Sequence, residues 1–167
     1  MYSKFQNIET PFYYYDTALL EATLKAIRDE IKPYPHFHVH YAIKANANPR
    51  LLSIIQQAGF GVDCVSGGEI QVAINAHFPT NSIVYAGVGK SDKEIIIGLR
   101  NNIFCFNVES IPELEVINEL AVRENKIASI CLRVNPNIKA HTHTHIRTGV
   151  AENKFGIAFD EIMYVIK

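Results

Sequence analysis

The sequence has almost no net charge and no long hydrophobic run. Its 167 residues carry a formal net charge of −1 and no basic cluster, so charge gives no reason to expect nucleic-acid binding. No apolar stretch reaches the roughly 18 residues that a membrane-spanning helix needs. The N-terminal segment MYSKFQNIETPFYYYD lacks the apolar core of a secretory signal. These features predict a globular protein of the cytoplasm that does not contact membranes.

Cysteine is also scarce, and its spacing excludes a zinc site built from cysteines. The three cysteines, Cys64, Cys105 and Cys131, lie far apart in apolar, strand-like runs. This spacing matches no zinc-binding pattern. In such surroundings cysteine usually behaves as a small apolar side chain. We therefore predict three buried, reduced thiols.

Short β-branched or aromatic runs alternate with longer segments of helical periodicity. The aromatic run 12–16 resembles a strand, and Thr17 is a plausible cap for a helix over 18–31. Further strands are predicted at 38–43, 61–65, 82–86, 103–108 and 128–134, with helices at about 49–58, 68–76 and 110–124 and another that begins near Ser91. Residues 155–157 are strand-like, and Asp160 is a plausible cap for a last helix. About five β-α repeats predict a parallel sheet with right-handed crossovers.

Two α/β architectures fit this alternation: an open doubly wound sheet and part of an eight-stranded barrel. The strands read as apolar on both faces, which is typical of buried parallel strands. The glycine-rich dinucleotide fingerprint does not follow the first strand, and GVGK at 87–90 lacks the spacing of a phosphate-binding loop. A complete barrel needs about 200–250 residues, so this chain would supply five or six of its units.

The segment HYAIKANANP, residues 40–49, places Lys44 at the end of a predicted strand. The carboxyl ends of the strands are where α/β barrels assemble their chemistry. A lysine amine there can form an imine with a carbonyl compound once it is deprotonated. The alternative is an ordinary surface lysine. The glycine-rich segment GVDCVSGGE at 61–69 permits a tight turn close to a ligand.

Six ordered motifs resemble one family of enzymes. YAIKAN, GVDCVSGGEI, IVYAGVGKSDKEI, CFNVESIPELE, LRVNPNI and ENKFGI are similar, in order and spacing, to segments of the diaminopimelate decarboxylases. This resemblance implies a partial TIM (β/α)8 barrel of the alanine-racemase-like, fold type III class, with pyridoxal 5'-phosphate as cofactor. It also implies that residues 1–16 contribute a strand to a separate β-domain. Residues 17–167 would be the N-terminal part of the cofactor-binding barrel.

The resemblance implies decarboxylation of meso-2,6-diaminopimelate to L-lysine and carbon dioxide, the last step of lysine biosynthesis, by a homodimer. Because the likeness is to the N-terminal half only, we expect the chain alone to associate with itself and to lack activity. Two alternatives remain. One is another amino-acid decarboxylase on the same scaffold, acting on carboxynorspermidine or arginine. The other is a non-catalytic half-barrel that serves as an association module.

The family likeness also assigns candidate site residues. Lys44 would be the lysine that holds the cofactor. Asp63 would lie near the lysine and the cofactor face, or else be a structural carboxylate that accepts bonds from backbone amides. Arg133 would lie close to the cofactor ring, or else form a purely structural ion pair, with Asp63 or Glu109 as its carboxylate partner. Glu69 is explained by the helix dipole alone.

Three alternating histidines, His141, His143 and His145, could hold zinc or nickel if they share one side of an extended segment. The related enzymes have a polar loop at this point, and we predict a loop without a metal. Lys154 matches a basic position near the dimer interface of the family. A solvated surface lysine is the alternative.

Overall fold

The computed structural model describes residues 5–135 and 155–166. The chain divides into two compact units, Met1–Phe37 and His38–Lys167. The helices are α1 (Thr17–Ile31), α2 (Pro49–Gln57), α3 (Gly67–Asn75), α4 (Asp92–Asn101), α5 (Ile111–Arg123) and α6 (Ile162–Val165). The strands are β1 (His40–Ala42), β2 (Gly61–Cys64), β3 (Ile83–Tyr85), β4 (Cys105–Val108), β5 (Ile130–Leu132), β6 (Val134–Asn135) and β7 (Ile157–Ala158). None of the helices in these ranges has the length and hydropathy needed to cross a membrane.

The first unit contains helix α1, which begins one residue earlier than the sequence predicted. Asp16, and not Thr17, is the N-cap, because its carboxylate accepts a hydrogen bond of 3.1 Å from the backbone N–H of Leu19. The predicted strand over 12–16 is wrong, since these residues have no strand pairing. A strand needs a neighbour for its backbone hydrogen bonds. The assignment of residues 1–16 to a separate β-domain stays a prediction.

The second unit is built on a parallel sheet of five strands in the order β1-β2-β3-β4-β5. Every strand pairs with the next one along the chain, and α2, α3, α4 and α5 connect successive strands. A doubly wound sheet reverses its strand order at a switch point. This sheet has no such reversal, and the sequential order is that of a barrel. The predicted partial barrel is confirmed.

Some predicted strands are shorter than expected. The strand predicted over 38–43 covers only His40–Ala42, and the chain then turns into a 3-10 helix over Ile43–Ala45. The strand predicted over 128–134 is divided into two short strands, β5 and β6. Its first part, β5, continues the sheet, and β6 pairs in parallel with β7 in a separate two-stranded sheet. Glu161, and not Asp160, precedes the short helix α6.

The five-stranded sheet has two different faces. On the helix-facing side, Val62, Cys64, Tyr85, Phe106 and Val108 are almost completely buried, and they form the core with apolar residues of α3, α4 and α5. The other side, here called the inner side, carries Ala42, Asp63, Val84, Cys105, Asn107 and Cys131, which the strand register places on one face. All of them except the buried Cys105 are only partly buried or exposed. The prediction of strands apolar on both faces is therefore wrong at the polar positions of the inner side.

The helices that follow β2, β3 and β4 all begin with the sequence Ser-x-x-Glu. The pattern occurs at Ser66–Glu69, Ser91–Glu94 and Ser110–Glu113, and each serine is the N-cap of its helix. Ser91 and Glu94 form the reciprocal capping box, whereas Glu69 and Glu113 accept the backbone N–H of the residue before the serine. The sequence predicted the capping box of α4 and the serine cap of α5, and both are confirmed. All three helix N-termini therefore have fixed positions at the carboxyl edge of the sheet.

Candidate functional site

Lys44 lies immediately beyond the carboxyl end of β1. Its neighbour Ile43 is 1% exposed and anchors the 3-10 helix in the core. The turn that follows is held by Asn46, whose carbonyl accepts a bond of 3.1 Å from the Tyr41 hydroxyl. The Lys44 side chain is exposed. A buried backbone thus carries an accessible amine at the carboxyl edge of the sheet.

Asp63 lies on the inner side of β2, level with Ala42 of β1 and Val84 of β3. Its Oδ1 is the one buried side-chain oxygen or nitrogen without a hydrogen-bond partner among the residues that the structure describes. Burial raises the pKa of the Asp63 carboxyl, while the nearby charges of Lys44 and His40 oppose that rise. Asp63 is therefore close enough to Lys44 for their charges to interact.

The unpaired oxygen bears on the two interpretations of Asp63. A structural carboxylate at a strand-to-helix turn would accept hydrogen bonds from backbone amides, but Oδ1 accepts none from the described residues. A buried oxygen without a donor costs free energy, and such atoms occur mostly where function requires them. The geometry therefore favours a carboxylate available to a ligand.

Arg133 follows β5 and pairs with Glu109, which follows β4. Its Nη1 donates to Oε1 and Oε2 of Glu109 at 2.8 and 2.9 Å. The Arg133 side chain is 51% exposed, whereas that of Glu109 is 6% exposed. Of the two predicted partners, Asp63 and Glu109, the structure selects Glu109. The buried member of the pair is the carboxylate of Glu109, not the guanidinium of Arg133.

Glu69 has the structural role that the sequence predicted. Its Oε2 accepts a bond of 2.8 Å from the Val65 backbone N–H, and its own N–H donates to Ser66 Oγ at 3.2 Å. The neighbouring Gly67 is explained by packing, because a Cβ there would lie 2.7 Å from Cγ of Glu94. The segment SGGE thus closes the turn between β2 and α3.

Sequence reasoning missed a buried ion pair at the same edge of the sheet. Lys90 Nζ lies 2.5 Å from Oε1 of Glu113, and their side chains are 1% and 13% exposed. The signals were a lysine directly before the Ser91 cap and the third copy of the Ser-x-x-Glu pattern. Neither signal identifies the partner, which is 23 positions away.

The cysteines are only partly as predicted. All three are free thiols, but Cys131 is exposed because β5 is at the edge of the described sheet. Burial raises the pKa of Cys64 to about 12 and that of Cys105 to about 11. The two buried thiols are therefore poor nucleophiles.

The described residues contain no group of three or more histidine, cysteine or acidic side chains able to hold a metal ion. The candidate ligands His141, His143 and His145 lie outside the described residues, as does Lys154. Both predictions for these positions remain untested.

Lys44, Asp63 and Arg133, on or just beyond the carboxyl ends of their strands, fit a pyridoxal cofactor. Lys44 provides an accessible amine for its aldehyde, and the unpaired Oδ1 of Asp63 provides a buried acceptor beside that amine. Nε and Nη2 of Arg133 make no hydrogen bond to the described residues and can donate to a ligand. An amine, a carboxylate and a guanidinium thus share one edge of the sheet.

Comparisons with known proteins agree with this fold. Residues 18–167 match the model of the pyridoxal-binding domain of pyridoxal-dependent decarboxylases. A diaminopimelate decarboxylase of Bacteroides thetaiotaomicron is 61% identical over 163 residues, which are 98% of this chain and 42% of that protein. The crystal structure of diaminopimelate decarboxylase from Helicobacter pylori complexed with L-lysine is 41% identical, with a TM-score of 0.82 over 97% of this chain and 41% of that one.

A more distant structure shares the fold alone. The arginine decarboxylase of Paramecium bursaria Chlorella virus is 22% identical, with a TM-score of 0.68 over 87% of this chain and 37% of that one. Fold and site together define a pyridoxal-binding α/β barrel domain. The chain belongs to the pyridoxal-dependent decarboxylases, and it spans about two fifths of the length of the diaminopimelate decarboxylases that it matches.

Proposed function

We propose that this chain holds pyridoxal 5'-phosphate on Lys44 and is part of an enzyme that decarboxylates meso-2,6-diaminopimelate to L-lysine. The observation that carries this proposal is the accessible Lys44 amine beside a half-buried Asp63 whose Oδ1 lacks a donor among the described residues. A charge-bearing pair of this kind, at the carboxyl edge of a barrel sheet, is typical of a catalytic site.

When bound, the cofactor supplies an electron sink for the electron pair left by loss of carbon dioxide. Lys44 has two roles in this scheme. Its Nζ would condense with the cofactor aldehyde with loss of water, and the same nitrogen, once released, could take up and donate a proton. Because the side chain is exposed and its backbone is anchored by Ile43, the amine can move between these roles without disturbing the core.

Asp63 and Arg133 set the charge around that amine. Burial raises the pKa of Asp63 and the Lys44 charge opposes that rise, so the two groups are close enough to interact. Arg133 keeps Nη1 on Glu109 and leaves its other nitrogens for an acceptor on the ligand. We propose both as cofactor-binding residues.

The comparison with relatives supports diaminopimelate as the substrate. Identity to diaminopimelate decarboxylases reaches 61%, whereas the arginine decarboxylase shares only 22%. Release of carbon dioxide from diaminopimelate, arginine and carboxynorspermidine by the full-length enzyme of which this chain is proposed to be part would test this choice. Release from diaminopimelate alone is the expected result, and preference for either of the others would overturn the assignment.

Lys44 can be tested with the cofactor itself. We expect the chain to develop a visible absorbance band with added pyridoxal 5'-phosphate, and borohydride treatment to abolish it. Lys44→Ala should lose the band. Lys93→Ala, which removes another exposed lysine, should keep it. A band of full intensity in Lys44→Ala would refute the assignment.

We also propose that the chain associates with itself. Within the described sheet, β1 and β5 each pair on one side only, and such open edges favour pairing with another chain. Analytical ultracentrifugation measures this directly. A dimer or larger species is expected, and a monodisperse monomer would contradict the proposal.

A further inference from the structure

Lys90 occupies a site that matches an ammonium group completely. Its Nζ donates to the carbonyls of Gly87 and Asn107, each at 2.7 Å, and to Oε1 of Glu113 at 2.5 Å. An ammonium has three protons, so all of them are used. The nitrogen also lies 5.3 Å from the centre of the Tyr85 ring, a favourable cation–π distance. With the side chain 1% exposed, this charge depends on its protein partners.

The partner of Lys90 leads towards the candidate cofactor site. Glu113 uses Oε1 for Lys90 and Oε2 to accept the backbone N–H of Glu109 at 3.0 Å. Glu109 directly follows β4, and its carboxylate receives both bonds from Arg133 Nη1. A continuous path of hydrogen bonds thus runs from Lys90 through Glu113 and Glu109 to Arg133.

The two ends of this path differ in how firmly they are held. Lys90 is enclosed by two carbonyls and a carboxylate. The backbone of Arg133 is held by hydrogen bonds to Val108 and Ile157. Its guanidinium is half exposed, and among the described residues it contacts Glu109 and the ring of Phe155, 5.6 Å away. The direction of the guanidinium therefore depends on where Glu109 holds its carboxylate. That position depends in turn on the bond between Glu109 N–H and Glu113.

We propose that Lys90 is a positioning residue for Arg133, acting through Glu113 and Glu109. This inference rests on the proposed role of Arg133 in cofactor binding. Loss of the Lys90 charge leaves the Glu113 carboxylate in a nearly dry site without its cation. The carboxylate then turns towards water and releases the Glu109 N–H. Glu109 and Arg133 lose their common orientation, although neither has been altered.

The first test needs no cofactor. Nuclear magnetic resonance of the chain can follow hydrogen exchange of the Glu109 amide and the side-chain N–H signals of Arg133. Lys90→Met keeps the length of the side chain and removes the charge and the donors. We expect exchange at Glu109 to become roughly five- to tenfold faster, as for a lost hydrogen bond, and the Arg133 signals to shift. Unchanged Arg133 signals in a folded Lys90→Met would overturn the proposal.

Lys93→Met is the matched control. Lys93 lies three positions further along, in the same helix as Glu94, and is exposed. This variant should leave both signals as they are. Should Lys90→Met fail to fold, Glu113→Gln decides the same question. It retains an oxygen for Lys90 but puts an NH2 group opposite the Glu109 N–H. The same changes at Glu109 and Arg133 are expected, and their absence would again overturn the proposal.

A double-mutant cycle on the dissociation constant of pyridoxal 5'-phosphate separates positioning from general stability. Lys90→Met and Arg133→Met should each weaken binding, and the double variant should bind no more weakly than Arg133→Met. Losses that multiply in the double variant would show that Lys90 does not act through Arg133. If the unaltered chain does not bind the cofactor, the proposed function fails, while the resonance experiment still decides the position of Arg133.

Discussion

The two sides of the five-stranded sheet differ in how completely their polar groups are paired. Where helices meet the sheet, Glu94 accepts bonds from the backbone N–H groups of Gly67 and Ser91 and from the Ser91 hydroxyl. On the inner side, Asp63 keeps a buried oxygen without a partner among the described residues. Fully paired polar groups make a structure rigid, whereas an unpaired one is available to a ligand. The helix-facing side of the sheet therefore contributes stability, and the inner side carries the group that is available to a ligand.

The largest expected difference between the two sides of the sheet is the loss of unfolding free energy when a side chain is truncated to alanine. Phe106 on the helix-facing side is almost completely buried, and its ring lies 6.0 Å from that of Tyr85. Phe106→Ala should lower the free energy of unfolding by about 3–5 kcal/mol. Val84→Ala, on the half-exposed inner side, should cost about 1 kcal/mol. Urea denaturation measures both, and equal losses would contradict the assignment of the core to one side.

A smaller difference in the free energy of unfolding is expected between alanine variants of two adjacent glycines, Gly67 and Gly68. A Cβ at Gly67 would meet Glu94 Cγ at 2.7 Å, whereas one at Gly68 would meet nothing nearer than Ser66 Oγ at 3.7 Å. Gly67→Ala should therefore cost about 1–3 kcal/mol, because Glu94 must move and give up its hydrogen bonds.

Gly68→Ala is the control, and it should stabilise the chain by about 0.4–1 kcal/mol, because alanine restricts the unfolded chain. Thermal denaturation of the two variants gives the comparison. Equal stability would show that the packing of Glu94 against Gly67 has little importance.

The smallest effect is the pH dependence of the free energy of unfolding, to which Asp63 and Glu94 contribute with opposite signs. Burial raises the pKa of Asp63 in the folded chain, so the folded state binds its proton more tightly than the unfolded state. The contribution of Asp63 to stability therefore falls as pH rises from the unfolded pKa through the folded pKa. Asp63→Asn should remove this fall.

For Glu94, hydrogen bonds from the Gly67 and Ser91 backbone lower the pKa. Its contribution is present above the unfolded pKa and is lost as pH falls through the folded pKa. Glu94→Gln should remove that loss at acid pH. Unfolding free energies measured across the acid range would test both. The same sign for both variants would contradict the distinction between the two sides.

Local features of the fold could be predicted from the sequence. Pro49 after Asn48, and the serines before α3, α4 and α5, determine where the helices begin, because a cap involves only residues within one turn. The parallel sheet followed from the β-α alternation. The strand over 12–16 was predicted from the aromatic run and from the family likeness, and it does not form in this structure, because a strand forms only where another strand can pair with it.

The candidate site could be predicted less completely. The position of Lys44 follows from the motif, whereas the need of a guanidinium for a carboxylate left Asp63 and Glu109 as possible partners of Arg133, and the structure shows Glu109. The Lys90–Glu113 pair could not be predicted, since it joins residues brought together only when β3 and β4 are neighbours. Exposure of Cys131 likewise depends on the position of β5 at the sheet edge. Both the ion pair and the exposure of Cys131 depend on which strands are neighbours in the folded sheet.

The most direct measurement of the central claim is the location of the cofactor on the chain. Pyridoxal 5'-phosphate is added to the protein, the complex is reduced with borohydride, and peptides from a digest are analysed by mass spectrometry. The account predicts that the added mass is on the peptide that contains Lys44. Modification of Lys90 or Lys93 in its place, or no stable modification, would contradict it.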